Sequence, residues 1–149
     1  LGFTILPNYI VIDRKRIKRF KDKIRALTKR NSGVPIEITI TRLNRYLRGW
    51  INYYRIANIK TFCKDNMAWI RRRLRMIKMK QWKTYKAMHK EMRRKGIIHN
   101  GEKMNVTLWK NSAVHIIHRI LPNAWLDELK LINLAHYEVG LLSNGKVRY

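Results

Sequence analysis

The stretch Leu47-Arg-Gly-Trp-Ile-Asn-Tyr-Tyr-Arg55 decides the fold, together with Trp69-Ile-Arg-Arg-Arg-Leu-Arg75 fourteen residues later and Lys80-Gln-Trp-Lys83 beyond it. Aromatics and arginines interleave with aliphatics at steps of three and four. A helix needs that pattern when one face packs a core and another meets a polyanion. Working outward, Ile36, Ile40, Leu43, Leu47, Trp50 and Tyr54 form one apolar stripe, and Pro35 suits the first turn of their helix. Arg45, Arg48, Asn52 and Arg55 form a separate polar stripe on the same helix. Gly49 inside it costs roughly 1 kcal/mol relative to Ala. The expected reason is close approach of a neighbouring helix or of a ligand backbone.

A further helix is expected over 61–81, with Phe62, Met67, Ile70, Leu74 and Ile77 inward and Arg71, Arg75, Lys78 and Trp82 sharing a face. A fourth, basic helix is expected over 83–95, ending at Gly96. Between Arg71 and Lys95 there are twelve Lys or Arg and one acid, Glu91. On the N-terminal side, Asp13 can cap a helix over 14–30 that buries Ile17, Phe20, Ile24 and Leu27. Ten Lys or Arg cover the rest of it, and Asn31-Ser32-Gly33 ends it. Residues 1–12 are β-branched and apolar around Pro7-Asn8, which predicts two short strands and a turn. Such a hairpin does not stand alone, so it is expected to be the edge of a larger sheet.

After a loop at His99-Asn-Gly-Glu102 the charge density falls. Residues 112–121 and 123–134 predict two short helices separated by Pro122, and Ser143-Asn-Gly145 a terminal turn. The fold class is therefore mainly α: a basic bundle of three long helices plus shorter ones, preceded by a short β-hairpin. The expected divisions are 1–12, 13–98 and 99–149.

The formal net charge is +25, from 34 Lys and Arg against 9 Asp and Glu in 149 residues. Self-repulsion at that density calls for a polyanion; nucleic acid is the first candidate and an anionic membrane surface the second. Several core stripes favour a bundle over an amphipathic surface helix, and no apolar run reaches transmembrane length. The single cysteine, Cys63, excludes an internal disulfide and fits an intracellular, reducing compartment. The acids are scattered, whereas two-metal catalysis needs clustered carboxylates, so no catalytic or metal site is expected. His115-Ile-Ile-His118 puts two imidazoles one turn apart, too few ligands for zinc. Trp50 and Tyr54 lie on a core stripe, Trp69 fits either role, and Tyr53 and Trp82 fall off the core stripes and suit stacking on bases.

The 47–55 and 69–75 motifs, with Leu1-Gly2-Phe3, the loop from Arg30-Asn31 to Pro35, and more loosely Trp109, Ser112, Leu121, Asn123, Leu126, Leu131, Leu134 and Tyr137, resemble the C-terminal maturase-specific region (domain X, or thumb) of group II intron reverse transcriptases. The likeness extends over essentially the whole chain. Lys130 departs from it, standing where the family usually has a helix-ending glycine. The resemblance implies that 1–12 ends a reverse-transcriptase palm. It implies binding of group II intron RNA in its splicing-competent fold and, in a longer parent protein, grip on a template–primer duplex. A polymerase Tyr-X-Asp-Asp hairpin, which would use Mg2+, is absent from this sequence, so the chain alone is not expected to be an enzyme or to hold a cofactor. The chain is expected to be part of a longer protein, in a bacterial cytoplasm or an organelle matrix.

The expected RNA contacts are Arg14, Lys15, Arg16, Arg19 and Lys23, then Arg45, Arg48, Asn52, Tyr53 and Arg55, then Arg71, Arg72, Arg73, Arg75, Lys78, Lys80, Trp82 and Lys83. Two other readings stay open: a thumb fragment with no splicing role of its own, and a generic basic nucleic-acid-binding protein.

Overall fold

Three apolar stripes meet in the centre of the molecule. The computed structural model describes residues 1–97 and 115–140. It contains β1 (Phe3–Leu6), β2 (Tyr9–Ile12), α1 (Arg14–Leu27), α2 (Ile36–Tyr54), α3 (Lys60–Gln81), α4 (Tyr85–Arg94), α5 (His115–Ile120), α6 (Asn123–Glu128) and a 3-10 turn, Leu134–His136. The predicted loop at His99-Asn-Gly-Glu102, the 143–145 turn, and Trp109 and Ser112 lie outside the described residues. The architecture is mainly helical after a short antiparallel hairpin.

Phe20 and Ile24 of α1, Ile36 to Trp50 of α2 and Met67 to Ile77 of α3 close on one core. Trp50 lies at its aromatic centre, with ring centroids 4.5 Å from Phe20, 4.7 Å from Tyr54 and 5.4 Å from Phe62. Full burial of one such large side chain contributes about 1.5–3 kcal/mol, so a core of this size stabilises the bundle despite its charge. Cys63 is buried in the same core, which pushes its thiol up to about 11. Leu126, Leu131 and Leu134 belong to this core too, so the 121–140 segment packs onto the three long helices. A second cluster, Met79, Met88, Met92, Ile117, Ile120 and Leu121, joins the end of α3 to α4 and α5.

The hairpin pairs Phe3 with Ile12 and Leu6 with Tyr9 across Pro7-Asn8. It is fastened to the bundle by Phe3 against Tyr53 and Tyr54 and by two hydrogen bonds between Ile10 and Asn58, each 2.9 Å.

Four local expectations change. Asp13 precedes α1, but its carboxylate accepts from Thr4 Oγ1 and makes no cap bond. Helix α1 stops at Leu27, where Thr28 Oγ1 turns back to Ile24 O. Helix α4 starts at Tyr85, because Lys83 takes a left-handed backbone (φ 61°) and Thr84 caps the helix through Ala87 N–H. The predicted 123–134 helix breaks after Glu128. Lys130 is left-handed (φ 64°), with Leu131 N–H donating to Leu126 O and Lys130 N–H to Asp127 O. This is the bonding of a glycine-terminated helix, built here with a lysine. A Cβ in that conformation costs about 1–2 kcal/mol. Lys130→Gly should therefore raise the thermal midpoint by about 3 °C, read by circular dichroism; an unchanged or lower midpoint would show that the turn carries no such penalty.

Candidate nucleic-acid interface

Two helices supply the best-exposed cations. On α1, Arg14, Lys15, Arg16, Arg19 and Lys23 are all exposed. On α2, Arg45, Arg48 and Asn52 are exposed and Arg55 is half-buried. Arg42, exposed one turn before Arg45, extends that surface. Sequence reading passed over it, although its three-residue step was visible. Between the helices runs a groove of about 370 Å3, with Arg16, Arg19 and Lys23 on one side, Tyr46, Trp50 and Tyr54 on the other, and Phe20 between. Burial, and then Tyr54, push the Tyr46 hydroxyl above its ordinary range, with Arg19 opposing. At neutral pH the groove therefore presents a neutral phenol among cations.

Gly49 lies on the exposed side of α2. A Cβ built on it would meet nothing within 4 Å among the described residues, so none of the described helices accounts for the glycine. The face formed by Arg45, Arg48, Gly49 and Asn52 is open. Tyr53 is 51% exposed, yet its ring stacks on Phe3 at 5.6 Å and its hydroxyl donates to Leu1 O. The hairpin thus uses part of a ring expected to be free for bases.

Helix α3 divides its arginines between two duties. Arg72 is exposed and Arg71 half-buried. Arg73 reaches the end of α1: Nε donates to Thr28 Oγ1 at 2.6 Å, and Nη2 to Thr28 O at 3.1 Å and Arg25 O at 3.3 Å. Its guanidinium and that of Arg25 lie over the Trp69 ring, at 5.5 and 5.6 Å. This places Trp69 in the joint between α1 and α3. Arg75 is 2% exposed and donates from Nε to Leu121 O and from Nη2 to Asn123 Oδ1. Burial lowers the pKa of both guanidiniums from the arginine value. The structure therefore buries Arg75, and holds the half-buried Arg73 in the α1–α3 joint by its hydrogen bonds, rather than leaving both on the expected contact face.

Lys78 and Trp82 are half-buried and line a cleft of about 380 Å3 with Glu91, Arg94, Lys95, Pro122 and Trp125. The α3 face of Arg75, Lys78 and Trp82 is thus largely covered by α4 and by the segment after Leu121. Lys80 and Lys83 are exposed. None of the four ion pairs among the described residues uses a cation of the expected contact set; they join Lys18 and Arg25 to Asp22, and Arg94 and Lys95 to Glu91. Those cations lower the carboxyls of Asp22 and Glu91 below the usual range, chiefly through hydrogen bonds from Lys18 and Arg94. Partial burial, then Arg75 and His115, lower His118. Among the described residues no three His, Cys, Asp or Glu come together as a metal-binding group, and no helix is long and apolar enough to cross a membrane.

The fold is a helical bundle with buried apolar faces and exposed cationic ones. Compared with known families, residues 17–96, more than half the chain, match the group II intron, maturase-specific domain. The chain belongs to that family. A search of the curated proteins found no similar one.

The placement of the arginines gives a paired test. Arg75→Ala removes the donor from two oxygens and should cost about 2–3 kcal/mol of stability. Arg72→Ala should leave the thermal midpoint within about 1–2 °C of the parent while weakening RNA binding. The reverse pattern would return Arg75 to the contact surface.

Proposed function

We propose that this chain binds group II intron RNA and stabilises its splicing-competent fold, leaving the chemistry to the RNA. The observation that carries the reading is the α1–α2 surface, where exposed cations without carboxylate partners border an aromatic groove, in a member of the maturase-specific family. Arg14, Lys15, Arg16, Arg19 and Lys23 would take phosphates. Arg42, Arg45, Arg48 and Asn52 would reach ribose hydroxyls, the shallow minor groove or loop bases. Arginine suits the second role because its fork bridges two acceptors. Binding the correct fold more tightly than misfolded forms shifts the RNA population by the difference in affinity. The protein need form no covalent bond.

In a longer protein with a polymerase palm, the same bundle would act as the thumb on a template–primer duplex, and Mg2+ would belong to the palm carboxylates. The expected setting is wherever the intron is transcribed, a bacterial cytoplasm or an organelle matrix.

Equilibrium binding to a folded group II intron and to a scrambled RNA of equal length, across a salt series, tests the reading. With about six to ten phosphates neutralised, log K should fall against log salt with a slope of roughly −4 to −7, and the intron should be preferred throughout. Equal affinity for both RNAs at matched salt would reduce the chain to a generic basic binder.

Gly49 separates stability from binding. Gly49→Ala should stabilise α2 by about 0.5–1 kcal/mol, since the added methyl meets nothing. If RNA lies against this face, the same methyl should weaken intron binding severalfold. A more stable variant with unchanged affinity would remove the Gly49 face from the interface.

A further inference from the structure

The α1–α2 loop and the end of α3 enclose a recess of about 800 Å3, lined by Arg30, Asn31, Ser32, Gly33, Ile77, Lys80, Gln81 and Lys83. Three of these residues are cationic and none is acidic. None of the ion pairs among the described residues involves Arg30, Lys80 or Lys83. Arg30 Nε is shielded from solvent and has no hydrogen-bond partner among the described residues. A buried donor left so is unfavourable, more so when charged, and an anion would relieve it. The backbone N–H groups of Asn31 and Gly33 also have no acceptor among the described residues. Gly33 is left-handed (φ 71°), and nothing lies within 4 Å of where its Cβ would be. Gln81 Nε2 donates to Val34 O, fixing the loop against α3.

Lys83 supplies an independent sign. Its left-handed backbone is strained for a residue with a Cβ, and just after α3 the residue lines this recess. Strain of this kind concentrates where surroundings serve a ligand. A recess lined by one arginine and two lysines with no carboxylate, beside loop amides without an acceptor among the described residues, suits an oxyanion with several acceptor oxygens. The recess also has room beside that oxyanion for an attached sugar.

We propose that this recess seats one backbone phosphate of the bound RNA, with Arg30 as the directional donor and Lys80 and Lys83 as flanking charges. The proposal rests on the RNA-binding reading and deepens it. It gives the otherwise diffuse cationic surface one fixed point, which would set the register of the RNA on the bundle.

The experiment uses the full chain with two probes, the folded intron RNA and inorganic phosphate. Arg30→Lys keeps the charge but loses the Nε–H and the planar fork. It should bind intron RNA about tenfold more weakly at both low and high salt, with a thermal midpoint no lower than the parent's. Arg93→Lys, an exposed change on α4 away from the recess, should bind as the parent does. In NMR titrations with inorganic phosphate, the Arg30 Nε–H and Gly33 amide signals should move before those of α1. If Arg30→Lys binds like the parent, or the phosphate shifts are spread evenly over the basic helices, the seat is overturned and RNA binding stands. If the parent binds no RNA while phosphate still moves Arg30 and Gly33 selectively, the anion site stands and the RNA reading falls.

Discussion

Carboxylates are scarce in this chain, and that scarcity governs how its helices are joined. With 34 basic and 9 acidic side chains, interior cations cannot all be met by acids. Helix-end carbonyls take that place. The last turn of a helix leaves carbonyls without amide partners and carries partial negative charge. Arg73 of α3 binds two such oxygens at the end of α1. Arg75 binds Leu121 O just past α5, and Lys95 binds Ile120 O at 2.7 Å. Each bond gives an orphan acceptor a cationic donor, and each ties elements distant in sequence. Arg75 and Lys95 hold the C-terminal segment, and Arg73 fixes the α1–α3 joint.

The division of labour among basic side chains follows. Cations that find carbonyls become internal struts, and those left over form the exposed rows of α1 and α2. In the proposed role, this outer charge would stay uncompensated until a polyanion binds, so repulsion in the free protein would favour the bound one. The exposed glycine in α2 and the left-handed Lys83 are two more places where local stability is given up on a solvent-facing surface.

Much of the bundle was legible in the sequence, because helical periodicity reports burial directly. The stripes of Ile36 to Tyr54 and Met67 to Ile77 are buried as read, and Trp50 and Tyr54 are core residues. Periodicity says which side chains share a face but not what later covers it. Arg71, Arg75, Lys78 and Trp82 do share a face, yet Arg75 is sealed by residues some 46 positions on. Nothing local to 69–75 distinguishes Arg72 from Arg75. The same limit hid Arg73, whose partners lie 45 and 48 positions back. Helix ends were less legible for a different reason. Asp13 and Thr84 both have cap-forming side chains, and whether the side chain caps depends on a competing partner, Thr4 for Asp13. The break at Lys130 carries no glycine signal, because tertiary bonds hold it there. On the candidate site, the α1 row and the Arg45–Arg48–Asn52 face were readable, whereas the Arg30 recess needed two segments some 45 positions apart to be brought together.

One of those tertiary bonds bears on how the chain is made. The Asn44 side chain in the middle of α2 donates to Lys130 O and accepts from Ile132 N–H, and Gly140 N–H reaches back to Arg55 O and Ala57 O. During translation, α1, α2 and α3 leave the ribosome well before residues 130–140. Until then Asn44 has water in place of its partners, and the sites of Leu126, Leu131 and Leu134 in the core are unfilled. The N-terminal part can collapse early, but its packing is completed only by contacts of long sequence separation, which form slowly. A nascent chain stalled before residue 130 would display the basic helices without the segment that locks them.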